Sequence, residues 1–77
     1  LINTKDEKYL IEFGKSLKKL REEKSMSQEE LANISEVSIS QMTRIECGKI
    51  NPTICTIKSL AKGLGIKTAS LFAFENE

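Results

Sequence analysis

The sequence contains no histidine and no tryptophan, and only two cysteines, one proline and four glycines among its 77 residues. Without histidine it lacks the commonest general base, the commonest metal ligand and the usual activator of a serine or cysteine nucleophile. Cys47 and Cys55 do not make the paired close spacings of a zinc site and are too few for a disulfide scaffold. They read as two reduced thiols, with no metal and no cofactor to hold. The carboxylates do not cluster on one face, so an enzyme is not expected. No apolar run reaches the length of a signal-peptide core or a membrane span, and the expected location is cytoplasmic. The scarcity of glycine and proline, with 39% hydrophobic and 30% charged residues, excludes collagen-like and disordered chains. What remains is one small domain over residues 1–77.

The apolar residues that are present follow a helical period. Leu10, Phe13, Leu17 and Leu20 form one face of an amphipathic helix within Lys5 to Lys24. Ser27 with Glu30 makes a capping box, and Met26 and Leu31 take the positions of a hydrophobic staple. Ser38 with Gln41 repeats the box, with Val37 and Met42 in the staple positions. Two helices starting so close together leave room for two turns and a tight turn at Ser35, Glu36 and Val37. This is a helix-turn-helix by length and capping, spanning about residues 27–47. Gly48 suits the left-handed residue after the second motif helix. Thr53 is the expected cap of a fourth helix lined by Ile54, Ile57, Leu60, Ala61 and Leu64, which Gly65 ends. Thr68 caps one last turn with Leu71 and Phe72, before a polar end at Glu75, Asn76 and Glu77. The fold class is all-α, a compact five-helix arrangement.

The formal charge of +1 argues against nucleic acid, but it is a sum of unequal halves. From Val37 to Phe74 there are five basic residues against the single acid Glu46, a charge of +4, and the remainder carries −3. Such asymmetry serves a DNA-binding face, because affinity follows the local potential at the phosphates. On charge alone, a solvated helix surface is the simpler explanation.

Gln28-Glu29-Glu30-Leu31-Ala32, Val37-Ser38, Arg44-Ile45-Glu46 with Gly48, Asn51-Pro52-Thr53 and Leu60-Ala61 together resemble the Cro/phage-repressor, or XRE, type of helix-turn-helix transcription regulator. The resemblance covers about Phe13 to Phe72. It implies a buried ion pair between Arg21 and Glu46, where the alternative is two independent surface charges. Glu36 departs from the pattern, standing where glycine is frequent, and must accept or avoid a left-handed conformation. Ala32 would sit at the closest crossing of the two motif helices.

In such proteins the second motif helix enters the major groove. With Met42 and Ile45 turned inward beside Leu31 and Val37, the outward residues are Ser38, Ile39, Ser40, Gln41, Thr43 and Arg44, the expected base contacts. Arg44 can grip guanine, Gln41 can pair with adenine or guanine, and the hydroxyls suit several bases. Ile39 can bury a thymine methyl, or pack on a neighbouring loop. Gln28, at a helix N-terminus, is an expected phosphate contact. Lys49, Asn51 and Thr53 match family positions that touch the backbone, whereas Cys47 stands where relatives often carry a polar phosphate-binding residue. The family usually binds double-stranded DNA as a homodimer on a palindromic operator. Residues 64–74 are the candidate interface, through Ile66, Leu71, Phe72 and Phe74; alternatively Leu71 and Phe72 only complete the core.

No ligand domain is expected after the motif. The pattern resembles controller proteins of restriction-modification systems, with RNA polymerase as a further partner if the protein activates. Prophage-type repressors and antitoxins share the scaffold, and a helical protein-interaction adaptor without DNA binding is the reading of another class.

Overall fold

The computed structural model describes residues 5–76. Helix α1 spans Glu7–Glu23, α2 Gln28–Ser35, α3 Ile39–Glu46 and α4 Ile54–Leu64, followed by a 3-10 helix over Thr68–Asn76. No strand occurs among the described residues.

Each α-helix starts at a side chain that takes one of its orphan amides. Asp6 Oδ1 accepts from the Tyr9 N–H at 3.1 Å, a cap the apolar pattern alone did not reveal. Ser27 accepts from the Glu30 N–H at 3.0 Å while Glu30 Oε1 accepts from the Ser27 N–H at 2.9 Å, a complete capping box. Ser38 accepts from the Gln41 N–H at 3.0 Å, but the Gln41 side chain makes no bond back, so the second box is only half formed. Thr53 caps α4 as expected, accepting from the Thr56 N–H at 3.2 Å.

The four α-helices also stop in one way. After each, a left-handed residue lets two successive amides close back on the last carbonyls, the Schellman arrangement. These residues are Ser25 (φ 56°), Glu36 (φ 59°), Gly48 (φ 71°) and Gly65 (φ 70°). After Glu36, for example, the Val37 N–H reaches the Ala32 carbonyl at 3.0 Å. Glu36 therefore accepts the strained conformation, at about 1–2 kcal/mol. The placement of Val37 against the core and of α3 beyond it offsets that cost.

Leu17, Leu31, Met42, Ile45, Leu60 and Leu71 are completely enclosed, with Phe13, Ala32, Ala61 and Leu64 around them. Helix α1 packs on α3 and the 3-10 helix, and α2 packs on α3 and α4. The α1–α3 crossing is tight at Gly14, where a Cβ would stand 2.5 Å from the Glu46 carbonyl oxygen and 2.6 Å from that of Ile45. Ile54, expected on the buried face of α4, is instead 84% exposed. It is the first residue of α4, and its side chain leans back past the last turn that meets the core.

The C-terminal element corrects the expected single turn. It is a nine-residue 3-10 helix that holds the chain to Asn76 rather than letting it fray from Glu75; Glu77 lies outside the described residues. Phe72 packs with its ring tilted against Phe13, and Phe74 likewise against Tyr9, at 5.1 and 5.4 Å between ring centres. Ser16 Oγ donates to the Leu71 carbonyl at 2.8 Å, tying the segment to α1.

One polar group sits badly in this packing. Ser35 is buried against Gly63 of α4, and its hydroxyl has no partner. Because an unsatisfied buried hydroxyl costs about 1–3 kcal/mol, Ser35→Ala is expected to raise stability by about 1 kcal/mol in urea unfolding. A loss of the same size would show that the hydroxyl is bonded after all.

Candidate nucleic-acid interface

Helix α3 buries Met42, Ile45 and Glu46. The 3.6-residue period then leaves Ile39, Ser40, Thr43 and Arg44 exposed on the opposite side, with Gln41 half-buried and the capping Ser38 exposed before them. Of the six expected base contacts, five are thus open to solvent together. Ile39 remains 49% exposed, so no neighbouring loop covers it. Arg44 has no ion pair among the described residues. Ser38 has one lone pair engaged by its cap, whereas the Thr43 hydroxyl is held by the Ile39 carbonyl at 3.0 Å and Gln28 Oε1 at 3.1 Å.

Behind this face lies the ion pair that the resemblance implied. Arg21 Nε donates to Glu46 Oε2 at 2.6 Å and Nη2 to Oε1 at 3.1 Å, with side-chain exposures of 9% and 2%. The guanidinium also donates from Nη1 to the Met26 carbonyl at 2.6 Å, so one side chain fastens α1, the α1–α2 turn and α3. Bonding to Glu46 holds the Arg21 guanidinium above its ordinary pKa. The pairing also alters the charge count. Arg44, Lys49, Lys58, Lys62 and Lys67 are all exposed, while Glu46, the one acid among residues 37–74, is enclosed with its counter-ion. The surface of that segment carries cations alone.

The phosphate candidates divide. Lys49 is exposed next to the end of α3, and Thr43, Arg44, Cys47, Lys49 and Ile50 line a shallow groove there. Ile50 was not anticipated, and nothing in its local sequence signals the role. Asn51 and Thr53 are exposed in the same loop, but the Thr53 hydroxyl is occupied as the α4 cap and shares a hydrogen bond with Thr56 at 3.0 Å.

Gln28, the expected phosphate contact at the α2 N-terminus, is engaged within the protein: Nε2 donates to Glu46 Oε1 at 2.8 Å, and Oε1 takes the Thr43 hydroxyl. The α2 N-terminus moreover holds its own anion, because the Ser27 N–H keeps the Glu30 carboxyl below the usual carboxylate range. Leu71, expected at the dimer interface, requires a correction. It is wholly enclosed in the core and offers nothing to a partner, whereas Ile66, Phe72 and Phe74 are half-buried.

A short capped helix, a left-handed turn and a second helix with its polar side outward in a cationic surface define a helix-turn-helix reader of DNA. The chain belongs to the helix-turn-helix family of DNA-binding transcriptional regulators, whose model matches residues 17–72. It is similar to the control protein C.MunI of a Mycoplasma species, with 39% identity over 82% of this chain and 86% of that protein. The crystal structure of the restriction-modification controller protein C.AhdI from Aeromonas hydrophila superimposes with a TM-score of 0.84 at 37% identity, over 84% of this chain and 98% of that one. The immunity repressor of Bacillus phage phi105 is 31% identical over 80% of this chain and 43% of its own length. The family is not one of enzymes. Among the described residues no helix is long and apolar enough to cross a membrane.

Proposed function

We propose that this protein is the controller of a restriction-modification system, acting in the cytoplasm as a homodimer on a palindromic operator. The observation that carries the reading is the outward face of α3, where Ile39, Ser40, Thr43 and Arg44 stand together in a segment, residues 37–74, whose only exposed charges are positive. The similarity to two control proteins, at 39% and 37% identity, supports the controller role above that of a phage repressor. In this reading α3 lies in the major groove, Arg44 grips guanine, and Ile39 covers a thymine methyl. Lys49 and the loop through Asn51 flank it on the phosphates. The half-sites are about 34 Å apart, and Ile66, Phe72 and Phe74 line the seam between protomers.

Arg44→Ala tests the assignment. Binding to single-base variants of the operator should fall by about 1–3 kcal/mol, with discrimination lost at one position of each half-site. An equal loss on every sequence would make Arg44 a phosphate ligand instead.

A further inference from the structure

A series of hydrogen bonds runs from the buried ion pair to the outer face of α3, and its polarity is fixed from the inside. Glu46, held by Arg21, is a carboxylate that only accepts. It takes Arg21 Nη2 at 3.1 Å and Gln28 Nε2 at 2.8 Å on the same oxygen. The Gln28 amide can therefore face only one way, with its nitrogen to Glu46 and its oxygen toward α3. That oxygen lies 3.1 Å from Thr43 Oγ1 and also only accepts, so the Thr43 hydroxyl must donate. The second neighbour of the hydroxyl, the Ile39 carbonyl at 3.0 Å, is an acceptor too. Thr43 has one hydroxyl hydrogen and two protein acceptors. Whichever it serves, the hydrogen stays inside the protein.

We infer that Thr43 is a specificity-determining residue that meets DNA as a hydrogen-bond acceptor, and that Gln28 is the positioning residue that imposes this polarity. In the major groove an acceptor pairs with the exocyclic amine of adenine or cytosine. Guanine offers only N7 and O6, and thymine only O4, all of them acceptors. A phosphate is unsuitable for the same reason. Thr43 thus selects adenine or cytosine on the strand it faces, and guanine or thymine there must either go unpaired or strip Gln28 of its partner. The inference rests on the placement of α3 in the major groove.

The test is selection of bound duplexes from a randomised pool by the full chain, by Thr43→Val and by Gln28→Met. Thr43→Val replaces the hydroxyl with a methyl at an exposed site, and Gln28→Met keeps the length of the side chain without its polar atoms. The wild-type protein should enrich an operator with adenine or cytosine at one position of each half-site, and guanine there should weaken binding about fivefold to tenfold. Thr43→Val should flatten the preference at that position alone. Gln28→Met should admit guanine at the same position, and combining it with Thr43→Val should flatten the preference no further. Guanine or thymine at the position that Thr43→Val flattens would overturn the inference, as would an equal loss on all sequences with either variant. Enrichment of an operator that is indifferent to both variants removes this inference and leaves the regulator standing. A pool in which no sequence is enriched removes the operator-reading function, and the inference falls with it.

Discussion

Arg21→Met is expected to lower the free energy of unfolding by about 3–5 kcal/mol, a large part of what a domain of this size possesses. The two carboxylate oxygens of Glu46 are almost sealed from water and receive three hydrogen bonds, two of them from Arg21. Removing the guanidinium leaves a buried charge with only the Gln28 amide, and frees the Met26 carbonyl in the turn between α1 and α2. Arg21→Lys should recover only part of the loss, since an ammonium cannot present the planar fork that two oxygens and a carbonyl now share. The double variant Arg21→Met, Glu46→Leu removes the stranded charge and should regain most of the stability. Urea unfolding of the three variants measures this directly. A loss below about 1 kcal/mol for Arg21→Met would put the pair in the class of exposed salt bridges and contradict its place behind the DNA face.

Gly14→Ala carries the second large effect, and its sign separates two physical terms. Helix propensity alone favours alanine inside α1 by about 1 kcal/mol. The new methyl, however, would meet the carbonyl oxygens of Ile45 and Glu46 at 2.6 and 2.5 Å. These are backbone atoms at the end of α3 and cannot rotate aside, so α1 and α3 must separate along the line of Phe13, Leu17 and Ile45. Overpacking of this kind costs up to about 3 kcal/mol or more, and the expected result is a net loss of about 2–3 kcal/mol. For a chain of this size that lowers the melting temperature by about 10 °C or more in a thermal scan followed by circular dichroism. A melting temperature unchanged or raised would mean that the crossing has slack and that propensity wins.

Gly14 also marks where the sequence stops being informative, whereas the Arg21–Glu46 pair was expected from the family resemblance. Ser27, Ser38 and Thr53 were legible as caps because a cap is a local event, settled within three residues. Gly48 and Gly65 were legible as helix ends for the same reason, and the inward turn of Met42 and Ile45 follows from periodicity. Ser25 adopts the same left-handed conformation without any glycine to announce it. Gly14 looks like a weak point in a helix until α3 is laid across it. Ile54 carries the hydrophobicity of a core residue, yet it stands one turn too early to reach the core. At the candidate site, the outward set on α3 could be read from the two residues that turn inward. The engagement of Gln28 could not, because Glu46 and Thr43 reach it only through the packing of α3 on α2. The net charge misled for another reason, since the +4 of residues 37–74 and the −3 of the remainder cancel in the sum.

The central claim is that the outward face of α3 and the cations of its segment bind duplex DNA. Titration of the full chain against a random-sequence duplex, repeated across a series of salt concentrations, tests it most directly. The account predicts binding whose logarithm falls linearly with the logarithm of salt, with a slope of about −0.9 for each phosphate neutralised. A flat response, or no binding at the lowest salt, would contradict it.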